Sequence, residues 1–94
     1  MKPTFKELKV RLDSYLDHPK RKTPQRYSVL EEICLYNKDF TADDLYVFMR
    51  EKGYKLSPAS IYNILGLFLS INILTYRAKR KDLKLIMEYS IKNK

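Results

Sequence analysis

The sequence predicts a mainly α, α+β domain of about four helices followed by a two-stranded β-hairpin. Three observations carry that reading. Apolar residues recur at helical spacing in successive runs between residues 5 and 72, and each run opens on a capping signal. Beyond Asn72 the apolar period drops to two. Two Gly and four Pro in 94 residues leave little material for long loops.

The first helix begins at the capping box "TFKE", where Glu7 can reach back to the Thr4 amide. Phe5, Leu8, Leu12 and Tyr15/Leu16 mark its inner face to about Asp17, and "HP" at 18–19 stops it. The second starts with Thr23 as N-cap and Pro24 at the first helical position. Its expected stripe is Tyr27, Leu30, Ile33 and Cys34, fading near "YNKD". The third starts at Thr41, with Asp43 and Asp44 at the positive end of the helix dipole and Gly53 as the C′ residue. Ala42, Leu45, Phe48 and Met49 give its inner face. In the fourth, Ser57 caps, Pro58 takes the first position, and Ile61, Ile64, Leu65, Phe68 and Asn72 mark the core line. Asn72 ends it in the left-handed conformation that Asn tolerates. "ILTYRA" and "LKLIMEYS" read as strands around the basic turn "KRKD". Together these elements make a winged helix-turn-helix, read as a single domain over residues 1–94.

Composition narrows the function classes. No apolar run is long enough to span a bilayer, and the N-terminus "MKPTFKELKV" lacks the apolar region of a secretory signal. A single cysteine excludes an internal disulfide and points to a reducing, cytoplasmic setting. The net charge of +8 is unevenly placed. Residues 1–26 hold eight Lys/Arg against three acids, and residues 77–94 hold seven against two. The stretch between has four against six. Two basic ends around a slightly acidic centre suit a polyanion, although such charges also serve simply to solvate a surface.

From Lys20 to about Tyr89 the segments "RKTPQRYSVLEEI", "FTADDLYVFMREKG", "LSPASIYNIL", "INILTYR" and "IMEYS" follow one another in order. In that order and spacing they resemble the DNA-binding domain of the ferric uptake regulator family. The resemblance implies a transcription regulator with a winged-helix reading head. It places a groove-facing Tyr on Tyr62, and Asn63 where the family has Arg. Arg21 falls where a basic residue approaches the minor groove. Phosphate-positioning roles fall on Thr23, Gln25 and Arg26 and on the wing around Lys79, Arg80 and Lys81. Family members usually continue into a second domain that dimerises and binds metal ions, and this chain ends at "SIKNK", where that domain would begin. A family metal-ligand His is replaced by Asp39. One His, one Cys and no C-x-x-C pair cannot assemble a tetrahedral N/S site. Asp39, Asp43 and Asp44 offer oxygen ligands, but helix-start electrostatics already explain the latter two. No metal or other cofactor is therefore expected.

The fourth helix, "SPASIYNILGLFLSIN", has no charged side chain. Its side away from the core line presents Ala59, Ser60, Tyr62, Asn63 and Gly66. Asn can make a bidentate contact with adenine, and Ser57, Ser60 and Tyr62 can touch bases or phosphate. Arg77 to Lys84 carry five basic side chains and one acid, which with Arg21 and Arg26 would clamp phosphates on both sides of that helix. Leu67, Leu69 and Ile71 leave the helix apolar further round. They form either a partner or homodimer surface together with helix 1, or packing against helix 1 or the wing. His18 sits in a connector, Cys34 on an apolar stripe, and Glu31/Glu32 and Asp43/Asp44 at helix surfaces, so no catalytic constellation is expected. Double-stranded DNA binding by a small regulator is the function read here. A winged helix that binds protein without sequence-specific DNA contact is the alternative.

Overall fold

The computed structural model describes residues 3–15 and 24–92. Four helices, α1 (Phe5–Tyr15), α2 (Pro24–Tyr36), α3 (Ala42–Glu51) and α4 (Pro58–Ser70), precede an antiparallel hairpin of β1 (Leu74–Lys81) and β2 (Lys84–Ile91). This is a winged helix: α3 packs on α4 as the helix-turn-helix pair, and the hairpin is the wing.

The helix starts form as their sequences dictate. Glu7 N–H donates to Thr4 Oγ1 at 3.2 Å, and Thr4 N–H to Glu7 Oε1 at 3.4 Å. At α3 the equivalent Thr41–Asp44 pair closes with both bonds at 3.0 Å, so two otherwise orphaned backbone donors are satisfied reciprocally. The helix ends are equally specified. Gly53 (φ 95°) follows α3 and Asn72 (φ 63°) follows α4, both in the left-handed region. Each supports a Schellman closure: Tyr54 N–H reaches Met49 O at 3.1 Å, and Ile73 N–H reaches Phe68 O at 2.9 Å. Thr23, the expected N-cap of α2, and His18–Pro19 lie outside the described residues.

The core joins all six elements. Leu8 and Leu12 of α1, Leu30 and Ile33 of α2, Leu45 and Met49 of α3, and Ile61, Leu65 and Phe68 of α4 are essentially inaccessible. Ile73, Leu74 and Tyr89 extend this core into the base of the wing. There Phe40 forms a one-residue bridge to β2, with Phe40 N–H to Tyr89 O at 3.0 Å and Tyr89 N–H to Phe40 O at 2.7 Å. Their rings stack at 5.7 Å. Arg11 of α1 donates to Asn72 O at 2.9 Å, which ties the first helix to the junction between α4 and the wing.

Four expectations need correction. Asn72 is exposed and not part of the core line, because a left-handed C′ residue turns the chain away from the helix face. Glu32 is 4% exposed and not a surface residue. Its carboxylate accepts from Lys52 Nζ at 2.6 Å and Tyr54 OH at 2.8 Å, which compensates its desolvation. Val29 joins the α2 stripe, whereas Tyr27 and Cys34 lie at its half-buried margin. The strands also run further than read. Lys81 pairs with Lys84, so the turn is Asp82–Leu83 and not "KRKD". Both turn residues have positive φ, 50° and 66°, the pattern of a type I′ hairpin turn.

A Leu in that conformation costs roughly 1–2 kcal/mol, and at 98% exposure Leu83 recovers nothing from packing. Leu83→Gly is therefore expected to stabilise the chain by about 1 kcal/mol, raising Tm by roughly 4–8 °C in a thermal melt.

A second expectation concerns alkaline pH. Burial, together with the hydrogen bond that its hydroxyl donates to the Asp13 carboxylate, pushes the Tyr27 phenol up from 10.0 to about 12. Between those values the folded chain keeps a proton that the unfolded chain releases. The stability from this contact is thus complete below pH 10.0 and lost as pH rises through about 12. In urea unfolding across that window, Tyr27→Phe should flatten the fall. Some slope should remain, because Tyr54, bonded to Glu32, and the buried Tyr89 are raised as well.

Candidate nucleic-acid interface

Helix α4 presents an uncharged ridge. Ile61, Ile64, Leu65 and Phe68 point inward, leaving Ala59, Tyr62, Asn63 and Gly66 exposed. Leu67 and Leu69 are partly buried against the core and Ile71 is buried, so most of the apolar surface expected on this helix is covered from within. Ser57 and Ser60 form its cap. Ser60 N–H donates to Ser57 Oγ at 3.1 Å, and Ser57 Oγ donates to Ser60 Oγ at 3.0 Å. That leaves the Ser60 hydroxyl hydrogen to donate elsewhere.

The wing sets two different faces beside this ridge. Residues directly opposite in an antiparallel pair share a face. The register therefore puts Arg77, Lys79, Lys81 and Lys84 on one side with Glu88, and Tyr76, Ala78, Arg80, Leu85 and Met87 on the other. On the charged side Arg77 Nη2 lies 3.1 Å from Asp39 Oδ2 and 3.4 Å from Glu88 Oε1, and Lys79 Nζ lies 3.0 Å from Glu88 Oε1. The Lys79 hydrogen bond, with help from Arg77, holds the Glu88 carboxyl below its usual range. Arg80, Lys81 and Lys84, nearer the tip, have no acidic partner among the described residues.

The other face, apart from Arg80 near the tip, is apolar. Tyr62 is 55% exposed on α4, and Tyr76, Leu85 and Met87 are exposed on the wing. A cleft of about 280 Å³ brings Tyr62 together with Leu85, Met87 and Tyr89, against the start of α3 at Thr41 and Asp43. Sequence reading missed this strip and the acids that occupy Arg77 and Lys79. The signal was the period of two, which places residues 77, 79 and 81 on one face and residues 76 and 78 on the other.

In the first turn of α2, Gln25 is exposed and Arg26 is half-buried. Arg21 and Thr23 lie outside the described residues. The acids near α3 are already engaged, Asp39 by Arg77 and Asp44 by the Thr41 amide. No group of three or more His, Cys, Asp and Glu that could hold a metal ion gathers among the described residues. Cys34 is half-buried, and burial followed by the Glu31 charge pushes its thiol up, away from reactivity. No helix among the described residues is long and apolar enough to cross a membrane.

Three comparisons bear on this geometry. The model of the ferric uptake regulator family matches residues 18–91. The peroxide operon regulator of Bacillus subtilis (strain 168) is 37% identical over 62 residues, covering 66% of this chain and 43% of that protein. The solved structure of GAS PerR-Zn-Zn superposes with a TM-score of 0.73 at 17% identity, over 96% of this chain and 54% of that one, which shows the shared fold. This chain thus spans about half the length of the relatives it matches.

Because Asn63 is exposed and its side chain makes no hydrogen bond among the described residues, Asn63→Ala is expected to leave stability within about 0.5 kcal/mol in urea unfolding. That makes it a clean variant for binding measurements.

Proposed function

Because the chain belongs to the ferric uptake regulator family of transcription regulators, we propose that it binds double-stranded DNA, with α4 in the major groove and the wing on the backbone. The observation that carries this reading is the juxtaposition of an uncharged, polar-tipped ridge with a wing whose outer cations have no acidic partner among the described residues. Phosphates supply affinity through Lys and Arg, whereas base edges are read by neutral hydrogen-bonding side chains. Asn63 would pair its amide with adenine N6 and N7. Tyr62 would lie beside it, and the Ser60 hydroxyl would donate to a phosphate at the helix start. Arg80, Lys81 and Lys84 of the wing, with Arg21, Thr23, Gln25 and Arg26 at the start of α2, would hold the backbone. Arg77 and Lys79 contribute less, since a phosphate has to displace Asp39 or Glu88 from them. Binding and regulation, without a chemical step, is the activity this supports.

The exposed strip of Tyr62, Tyr76, Leu85 and Met87 favours a second reading, a protein-binding winged helix. Fluorescence anisotropy with a random duplex pool at low and physiological salt, followed by sequencing of the bound fraction, separates the two. Salt-sensitive binding with an adenine-containing motif is expected. Replacing Arg80, Lys81 and Lys84 together by Ala should lower the slope of log K against log salt by about 2.7, at about 0.9 per phosphate contact. Arg77→Ala should lower it less, and Asn63→Ala should relax the adenine preference by about 1–3 kcal/mol. Absence of binding at low salt would overturn the DNA reading and leave the protein module.

A further inference from the structure

Resting on that DNA-binding reading, we propose that Leu83 is a wedge: the wing tip inserts this side chain between base steps of the minor groove flanking α4 and kinks the duplex there. Neither packing nor turn chemistry asks for a Leu at this place. It is 98% exposed, and its φ of 66° is one that Gly or Asn adopts more readily. An apolar side chain held out in this way gains only when something outside the chain covers it.

The surroundings choose the occupant. Arg80, Lys81 and Lys84 flank the tip without acidic partners among the described residues. Asp82 offsets one of these three charges, which leaves the tip cationic. A second copy of the same tip would bring like charges together, whereas two phosphate strands bordering a groove would neutralise them. The reach fits as well. From Thr75 to Lys81 β1 runs clear of the core, roughly 23 Å at about 3.3 Å per residue. Half a helical turn, which separates a major groove from the adjacent minor groove, is roughly 17 Å. An undeformed minor groove is only about 6 Å wide, so the narrow turn, with its one apolar side chain, is the part of the wing that enters first. Apolar side chains that enter in this way unstack a base step and bend the duplex toward the major groove. Pyrimidine–purine steps unstack most readily. The wedge would therefore add sequence preference at a position that α4 does not touch.

The test uses the full chain and duplexes carrying the motif selected above, with a TA step placed at successive distances from it. End-to-end energy transfer reports bending, and 2-aminopurine at the step reports unstacking. The wild-type chain should shorten the end-to-end distance and raise 2-aminopurine fluorescence at one distance from the motif. Leu83→Gly, which should fold at least as well, is expected to lose both signals and about tenfold in affinity, with an unchanged salt slope. Leu83→Met should restore the signals. If wild type binds without bending or unstacking, or if Leu83→Gly bends the duplex as wild type does, the wedge is wrong while the DNA reading stands. If no duplex binds at low salt, both fall, and binding of the wild-type tip to anionic lipid vesicles would identify its occupant instead.

Discussion

Two β-strands alone are marginal in water, so whatever the wing does depends on what holds its base. That hold is the pairing of Phe40 with Tyr89. Two short backbone hydrogen bonds and a stacked ring pair make Phe40 a one-residue third strand for the sheet. Phe40 also immediately precedes the Thr41 cap of α3, and Tyr36 packs edge-on against both Phe40 and Phe48. The residue that anchors the wing therefore also sets where α3 begins, and through α3 the position of α4. The Arg77–Asp39 pair lies beside this bridge but is exposed, and is worth about 1 kcal/mol or less.

A second constraint lies at the turn between α3 and α4. Lys52 and Tyr54 both come from that turn, and both bond to Glu32 on α2. A buried carboxylate is costly unless its lone pairs are met. Here they are met by residues whose backbone also makes the Schellman closure of α3. The arrangement resists any change in the α3–α4 angle that would leave Glu32 unpaired.

Much of this was legible in the sequence, because the signals were local. Thr4–Glu7, Thr41–Asp44, Ser57–Pro58, Gly53 and Asn72 each specify a helix end within a few residues, and each does so in the structure. What escaped was non-local or broke a local rule. Glu32 finds its partners 20 and 22 residues later, and a helix-period reading assigns any Glu to the surface. The hairpin turn was misplaced because type I′ turns usually advertise themselves with Asn-Gly or Asp-Gly, and Asp82–Leu83 does not. Of the candidate interface, the α4 ridge was readable from its spacing. The division of the wing into an apolar face and a partly neutralised basic face was not, because it depends on register, which the misplaced turn had obscured.

The junction at Asn72 has a further consequence. Ile71 closes α4, Asn72 reverses the chain, Ile73 is buried and Leu74 already belongs to β1. No linker separates the helix from the wing, and Arg11 and Lys92 both bond to the junction. The two elements consequently behave as the fixed jaws of a caliper. Surface exchanges on α4 or the wing can change what each jaw grips, but the gap between the jaws is set by buried backbone. The chemistry each jaw presents is therefore open to change one side chain at a time, whereas the distance between the jaws is not.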